Sequence, residues 1–412
     1  MRLTKIVFLF SLLLLAASLF AAEPARFHVE SIEVAGGGAR VQSIVVAQSL
    51  LREGQTYSEG ELADAISRIR RLPFVRAVSF SLAKGSERGL YRLVIAVDPM
   101  MSLFFDGQAS SYTSDNQVPR TVNFGLLTVG GRIPVGSSGM ARASVTVADD
   151  FEHVFGGEGP SVQPTFALGY SLYRIGSRAV FADVTLAGRR GTNNSFFDDR
   201  LRAGNETSAN VIVGVPIHGS QSIRAEWNSY RSPYTFETPS GDRRATSRLN
   251  SLQLFWLRDT TDDPVYPLHG SLLKAGALGS RGHSAGFGFG PDGAEVRQQR
   301  YDSYGAEAAA SRYWNLGNER ALSLHGSYYN IRTEFEASLF QSYSRSEQLT
   351  VGAGFTKRLS GAATDAWLNI RVDGTRNDWS SDHDRLNARI ELAHRSKWGI
   401  ARLGVEYSGQ RN

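Results

Sequence analysis

From Leu386 to Tyr407 the chain is apolar at every second position. Leu386, Ala388, Ile390 and Leu392 alternate with Asn387, Arg389 and Glu391. After a short link, Arg395 to Gly399, Ala401, Leu403, Val405 and Tyr407 alternate with Arg402, Gly404 and Glu406. A repeat of two belongs to an extended strand, whose side chains point to opposite faces in turn. In a soluble sandwich the polar face meets bulk water. In a membrane barrel it lines a wet lumen and the apolar face meets lipid. One hairpin does not separate the two.

Repetition does. The pattern returns at Val122, Phe124 and Leu126, and then from Ala141 to Val147, Phe166 to Leu172 and Val180 to Leu186. It continues from Ile223 to Trp227, Leu252 to Trp256, Leu322 to Tyr328, Leu349 to Phe355 and Leu368 to Val372. Such a number of segments, about fifteen or sixteen, falls within the range of membrane barrels. The expected fold over residues 101–412 is an antiparallel transmembrane β-barrel of about 16 strands. The links Gly188 to Asp199, Ser232 to Arg244 and Ser280 to Gln299 read as long outer loops, and Gly176-Ser177 and Asn315 to Glu319 as short turns on the other side.

Composition narrows the classes further. None of the 412 residues is cysteine, which excludes disulfides and thiolate metal sites. The net charge of +5 comes from Lys and Arg scattered through strands, so nucleic acid is not an expected partner. Residues 1–22 have the shape of an export signal. Arg2 and Lys5 are followed by the apolar run Ile6 to Phe20 and then Ala21 and Ala22. No later stretch has the length of an apolar transmembrane helix.

Residues 27–98 read as a small α+β domain. Phe27, Val29, Ile32 and Val34 suggest a strand that ends at Gly36-Gly37-Gly38. Ile44, Val45, Ala47, Gln48 and Leu51 have helical spacing, with Gly54 as the stop. Ser58 and Glu61 fit a capping box that opens a second helix with the stripe Leu62, Ala65, Ile66 and Ile69, ended by Pro73. Strands follow at Val78 to Leu82 and Leu93 to Val97.

The order strand, helix, helix, strand, strand resembles a polypeptide-transport-associated (POTRA) domain. The residues that carry the resemblance are Ile32 to Gly36, Gly54 to Ser58, Leu72 to Val78 and Leu93 to Val97. It implies a periplasmic module that adds an extended client or partner strand to its sheet edge.

In the barrel, Trp256-Leu257-Arg258-Asp259 is followed by Pro264 and then Pro267-Leu268-His269-Gly270. Arg-Asp before a Pro-x-x-Gly turn resembles the periplasmic-turn pattern of the BamA/TamA superfamily of outer-membrane assembly barrels. Arg258, Asp259, Pro267 and Gly270 are therefore expected to shape the barrel. The family's Arg-Gly-aromatic loop motif is absent. Gln341 to Arg345 is the nearest candidate, with Arg345 standing in on a lumenal loop. Tyr407 is the last aromatic and a polar tail follows it, so either the final strand ends early or one strand is missing.

The resemblance implies protein translocation or insertion at the outer membrane, with membrane lipid and an extended client or periplasmic partner as ligands. The alternative is a passive channel or structural barrel whose POTRA domain docks a periplasmic partner. No enzyme signature and no cofactor motif is present: there is no Gly-x-Ser-x-Gly and no His-Glu-x-x-His. Ser323 and His325 share one strand face and read as solvated lumen residues. Gly286 to Gly290 reads as a mobile surface loop. Arg224, Glu226, Arg371, Asp373, Arg389, Glu391, Arg402 and Glu406 read as lumen charges that pair and stiffen the barrel.

Overall fold

The structure, a computed structural model, describes residues 25–114, 120–150, 161–175, 179–189, 201–217, 219–236, 242–290, 293–337, 340–359, 365–377 and 384–411. The expected export signal lies outside them.

The N-terminal unit runs β1 (Arg26–Ala35), α1 (Ala39–Ser49), β2 (Gln55–Ser58), α2 (Glu59–Arg70), β3 (Val75–Lys84) and β4 (Leu90–Pro99). Its sheet has the order β2-β1-β4-β3, with β1 and β4 parallel. The short strand β2 was not expected from sequence, because four residues carry too little period to register. α1 stops at Leu50, which takes φ 60, rather than at Gly54. α2 opens with the capping box: the Ser58 hydroxyl accepts from the Glu61 amide, and the Glu61 carboxylate accepts from the Ser58 amide at 2.7 Å. The core is Val29, Ile44, Val45, Leu62, Ile66, Ile69, Leu93 and Ile95, each nearly or fully buried. Burying each large aliphatic side chain contributes on the order of 1.5–3 kcal/mol.

The second sheet comprises β5 (Leu103–Ser114), β6 (Arg120–Val135), β7 (Gly139–Asp150), β8 (Ser161–Ile175), β9 (Val180–Arg189), β10 (Leu201–Ala203), β11 (Glu206–Pro216) and β12 (Gln221–Phe236). It continues with β13 (Arg243–Asp259), β14 (Gly270–Gly290), β15 (Gly293–Gly317), β16 (Arg320–Ala337), β17 (Phe340–Arg358), β18 (Asp365–Asn377), β19 (Asp384–Arg395) and β20 (Ile400–Arg411). β10 and β11 pair with the same strand, β12, and are one pass interrupted at Gly204 and Asn205. The 16 labelled strands therefore make 15 passes, and β20 closes on β5.

The expected count of about 16 is thus corrected to 15. The physical consequence is at the closure: after an odd number of antiparallel passes the first and last strands run parallel, from Ala401 opposite Gly107 to Ser408 opposite Ser114. Alternation counts segments but does not fix the side on which the last one ends.

The wall is apolar outside. Leu168, Leu252, Leu254, Leu403 and Val405 are each more than half exposed and lie on the outer face. The inner face is polar, with cross-strand bonds such as Thr128 to Thr146 and Ser303 to Thr333 at 2.9 Å. A closed sheet with an apolar exterior and polar interior is a membrane-spanning barrel.

Every alternating stripe named from sequence faces outward where its side chains are described, except at Leu126; the side chains of Val122 and Phe124 lie outside the described residues. There Leu127, Val129, Ile133 and Val135 form the exposed outer face. Leu126 and Leu127 are adjacent, so the apolar positions of that strand run on both parities and its period does not choose between them. Two expected loops are also strand. Within Ser280 to Gln299, residues 280–290 and 293–299 form the far part of the β14–β15 hairpin, including Gly286 to Gly290, and Ser232 to Phe236 belongs to β12. Glycine alternating with phenylalanine is itself a period of two, masked by its loop-like composition.

Candidate functional site at the domain-facing mouth

The turn between β13 and β14 is folded by its own aspartates. The Asp259 Oδ1 accepts from the Thr261 amide at 3.0 Å and hydroxyl at 2.6 Å. The Asp262 Oδ1 accepts from the amides of Leu268 at 2.8 Å and His269 at 3.0 Å. The Asp263 Oδ1 accepts from those of Val265 at 2.8 Å and Tyr266 at 2.9 Å. Short acidic side chains that bond to nearby amides fix turns in this way. Pro267 holds the chain between buried Tyr266 and Leu268. Gly270 has φ +103, and a Cβ there would collide with the Thr260 carbonyl, so the return into β14 requires glycine.

So folded, the turn enters the mouth of the barrel. Tyr266 is 3% exposed and stacks on Trp367 with ring centroids 5.1 Å apart. Its hydroxyl donates to Glu391 Oε1 at 2.9 Å and accepts from Arg402 Nε at 3.3 Å. Arg395 donates to both Asp263 oxygens at 2.8 and 2.9 Å and lies over the Trp367 ring. The turn is thereby pinned to β18, β19 and β20 on the opposite wall. Burial works against the Asp263 carboxylate, but the Arg395 guanidinium and two backbone amides outweigh it and hold its pKa below the ordinary carboxylate value. Burial, reinforced by the neighbouring Glu391 carboxylate, pushes the Tyr266 phenol up to about 12.

The N-terminal unit closes over this turn. From the end of α2, Arg71 Nε donates to Asp259 Oδ2 at 2.7 Å, and its Nη2 reaches Asp259 Oδ1 at 2.7 Å and the Asp259 carbonyl at 3.0 Å. Ser67 donates to the Thr261 carbonyl at 3.3 Å, Arg70 to that of Asp262, and Arg68 to that of Gly219 at 2.9 Å. Desolvation lowers the Arg68 pKa. Across the mouth Arg132 donates to the Pro73 carbonyl, Phe74 meets Tyr173 edge-on, and Met140 joins the core of the N-terminal unit. Two clefts remain. One, of about 250 Å³, is lined by Arg76, Val78, Asp263, Tyr266, Trp367 and Arg395. The other, of about 350 Å³, is lined by Arg68, Arg71, Tyr173, Phe181, Arg224 and Pro264.

The residues singled out from sequence thus have separate places. Asp259, Pro267 and Gly270 build the turn. Arg258 is exposed on the outer wall, one residue away from Asp259 and on the opposite face. Arg345 is not on a lumenal loop: it lies within β17, opposite Arg332, two-thirds exposed and beside Glu347 at 3.4 Å. Of the lumen charges, Arg371 pairs with Asp373 and Arg389 with Glu391, each along a strand rather than across neighbours, while Glu226 bonds to Asn210 and Asn228. His325 reaches Asp373 across Gly352, where a Cβ would block it. Among the described residues Ser323 makes no hydrogen bond to His325, and no cluster of His, Cys, Asp or Glu suits a metal ion. Arg71, Tyr266, Trp367 and Arg395 were not foreseen. The one available signal was the run Arg68-Ile69-Arg70-Arg71 at a helix end, where cations also serve the helix dipole.

A scan against protein-family models and a search of curated proteins both return no match. Solved structures with similar coordinates include BamA from Haemophilus ducreyi lacking POTRA domains 1-3, at TM-score 0.45 and 11% identity over 93% of this chain and 81% of that one. CdiB from Acinetobacter baumannii gives 0.39 and 12% over 93% and 74%. The ferric-catecholate import receptor Fiu from E. coli gives 0.36 and 10% over 77% and 64%. At these TM-scores the likenesses carry no weight for function, which rests on the chain's own geometry.

Proposed function

We propose that this protein moves or inserts polypeptide at the outer membrane, with its N-terminal unit acting as a periplasmic POTRA domain. The observation that carries the reading is the position of β3. It is an edge strand, paired only with β4, so one side of its backbone lacks a strand partner. Its start, at Arg76 to Val78, lines the cleft that also exposes the inserted turn. An extended segment added to that edge would lie at the barrel mouth. No bond is made or broken in this scheme, and no catalytic residue or cofactor is assigned.

The test is site-specific photocrosslinking from Ser79 and Ser81 on β3 in living cells. Adducts with other exported polypeptides are the expected result. Their absence, together with normal levels of all other outer-membrane proteins after depletion, would sink the proposal.

A passive channel is the second reading, favoured by one observation: Arg345, the candidate for the family's lumenal arginine, lies in the wall. Planar-bilayer recording separates the two. Transport predicts low conductance while α2 caps the mouth; a channel predicts a large steady current.

A further inference from the structure

We propose that the outer wall carries a binding site for a phosphate-bearing lipid at the end of the barrel farthest from the N-terminal unit. The first observation is a row of cations. Arg231 on β12 lies directly opposite Arg248 on β13, which lies opposite His283 on β14, which lies opposite Arg300 on β15. All four share the outward face of Leu252, Leu254 and Tyr304. Like charges set opposite one another on a sheet repel. Among the described residues Arg231 and Arg248 form no ion pair. The carboxylate nearest in sequence to Arg300, Asp302, is engaged by Arg281 at 2.7 Å, and Glu336 stands opposite Arg300 at the end of the row. An anion from outside would relieve the facing pair Arg231 and Arg248.

Its height is that of lipid headgroups. On β13 the outward arginines Arg258 and Arg248 are 10 residues apart (258 − 248), with Leu252, Leu254 and Trp256 between them. On β15 Arg312 and Arg300 are 12 apart (312 − 300), with Asp302 next to Arg300 and then Tyr304, Ala306, Ala308 and Ala310 between them. Ten residues at ~3.3 Å each, tilted by about 40°, rise about 25 Å, the height of a barrel's apolar band. The row therefore sits at the far boundary, and Arg258 and Arg312 sit at the near one.

The second observation is a groove of about 920 Å³ that begins at Arg231. It follows the sheet through Thr207, Gly188, Phe166 and Val145 to Val129. Small residues, Gly188, Ala209, Ser229 and Ala143, leave the depression that Phe166 and Leu168 wall. It slopes into the membrane. Arg231 is 10 residues from the near end of its strand (231 − 221), whereas Val129 is only 6 from the near end of its own (135 − 129). A cationic head joined to an apolar groove that descends into the bilayer fits an amphiphile, with phosphate on the arginines and an acyl chain along the small residues. The site is independent of whether the barrel transports protein.

The experiment is lipid binding by the full-length mature protein in neutral-detergent micelles, read by native mass spectrometry. Lipid A is the probe and its dephosphorylated form the control. Wild type is expected to prefer lipid A by at least about tenfold, and Arg231→Ser with Arg248→Ser and Arg300→Ser to remove that preference. Ala209→Leu, which fills the groove and leaves the charges, is expected to weaken binding of both lipids. Arg345→Ser, outside the row, is expected to bind as wild type does. Heat-modifiable gel mobility verifies that each variant is folded. Equal binding of both lipids by wild type, or an unchanged preference in the folded triple variant, overturns the site. Displacement of lipid A by inorganic phosphate at equal concentration overturns the assignment to a lipid.

Discussion

The two ends of the barrel handle charge in opposite ways. At the domain-facing mouth two arginines are met by carboxylates inside the protein: Arg71 by Asp259, and Arg395 by Asp263. At the far end Arg231 and Arg248 stand on the outer face and, among the described residues, form no ion pair. The mouth is therefore a place where the chain recognises itself, and its geometry is fixed by short, directional bonds. The far rim is open to whatever surrounds it.

Breaking the mouth tests the comparison most severely. Asp259→Ala removes one partner of a pair whose side chains are only 17% and 21% exposed. The expected cost to docking is about 3 kcal/mol, since Arg71 keeps its burial and loses its counter-charge. Hydrogen exchange should show α2 amides losing protection while the barrel strands keep theirs, and bilayer conductance should rise. Gly270→Ala comes next. A positive φ together with the collision at the Thr260 carbonyl should cost about 1–3 kcal/mol, read as a lowered urea midpoint.

Smaller effects sharpen the picture. Tyr266→Phe keeps the stack on Trp367 but leaves Glu391 and Arg402 short of one bond each, for about 1–2 kcal/mol in the same assay. The titration of Asp263 should be the smallest. Its carboxyl is held low in the folded protein, so its contribution is present above the ordinary carboxylate pKa and is lost as pH falls through the lowered value. The part of the tryptophan fluorescence that is lost in a Trp367→Phe variant, which reports the ring beside the pinned turn, should therefore stay constant through neutral pH and change only in acid. An Asp263→Asn variant should flatten that acid change.

How much of this was legible in sequence follows from the range over which each feature acts. The alternation of Leu386 to Tyr407 and the capping box at Ser58 are local, and each was readable because its signal is complete within a few residues. The β6 stripe failed where both faces are apolar, since period two then names a strand but not its outside. The strand count failed because parity is a property of the closed circle. Asp259 was singled out by the resemblance of its Arg-Asp pair to a turn pattern, and Gly270 also by turn chemistry. Their partners were not: Arg71 lies 188 residues from Asp259, and Arg395 lies 132 from Asp263. No local pattern marks an arginine as the counter-ion of so distant a carboxylate.

The most direct test of the capped mouth uses the absence of cysteine from the chain. Ser67→Cys together with Thr261→Cys puts one thiol on α2 and one on the turn, at residues joined by the bond from the Ser67 hydroxyl to the Thr261 backbone carbonyl at 3.3 Å. Mild oxidation of intact cells should lock α2 to the turn rapidly and almost completely, and adding Asp259→Ala should slow the reaction. Two thiols that stay free and fully alkylatable in a folded barrel would contradict the account.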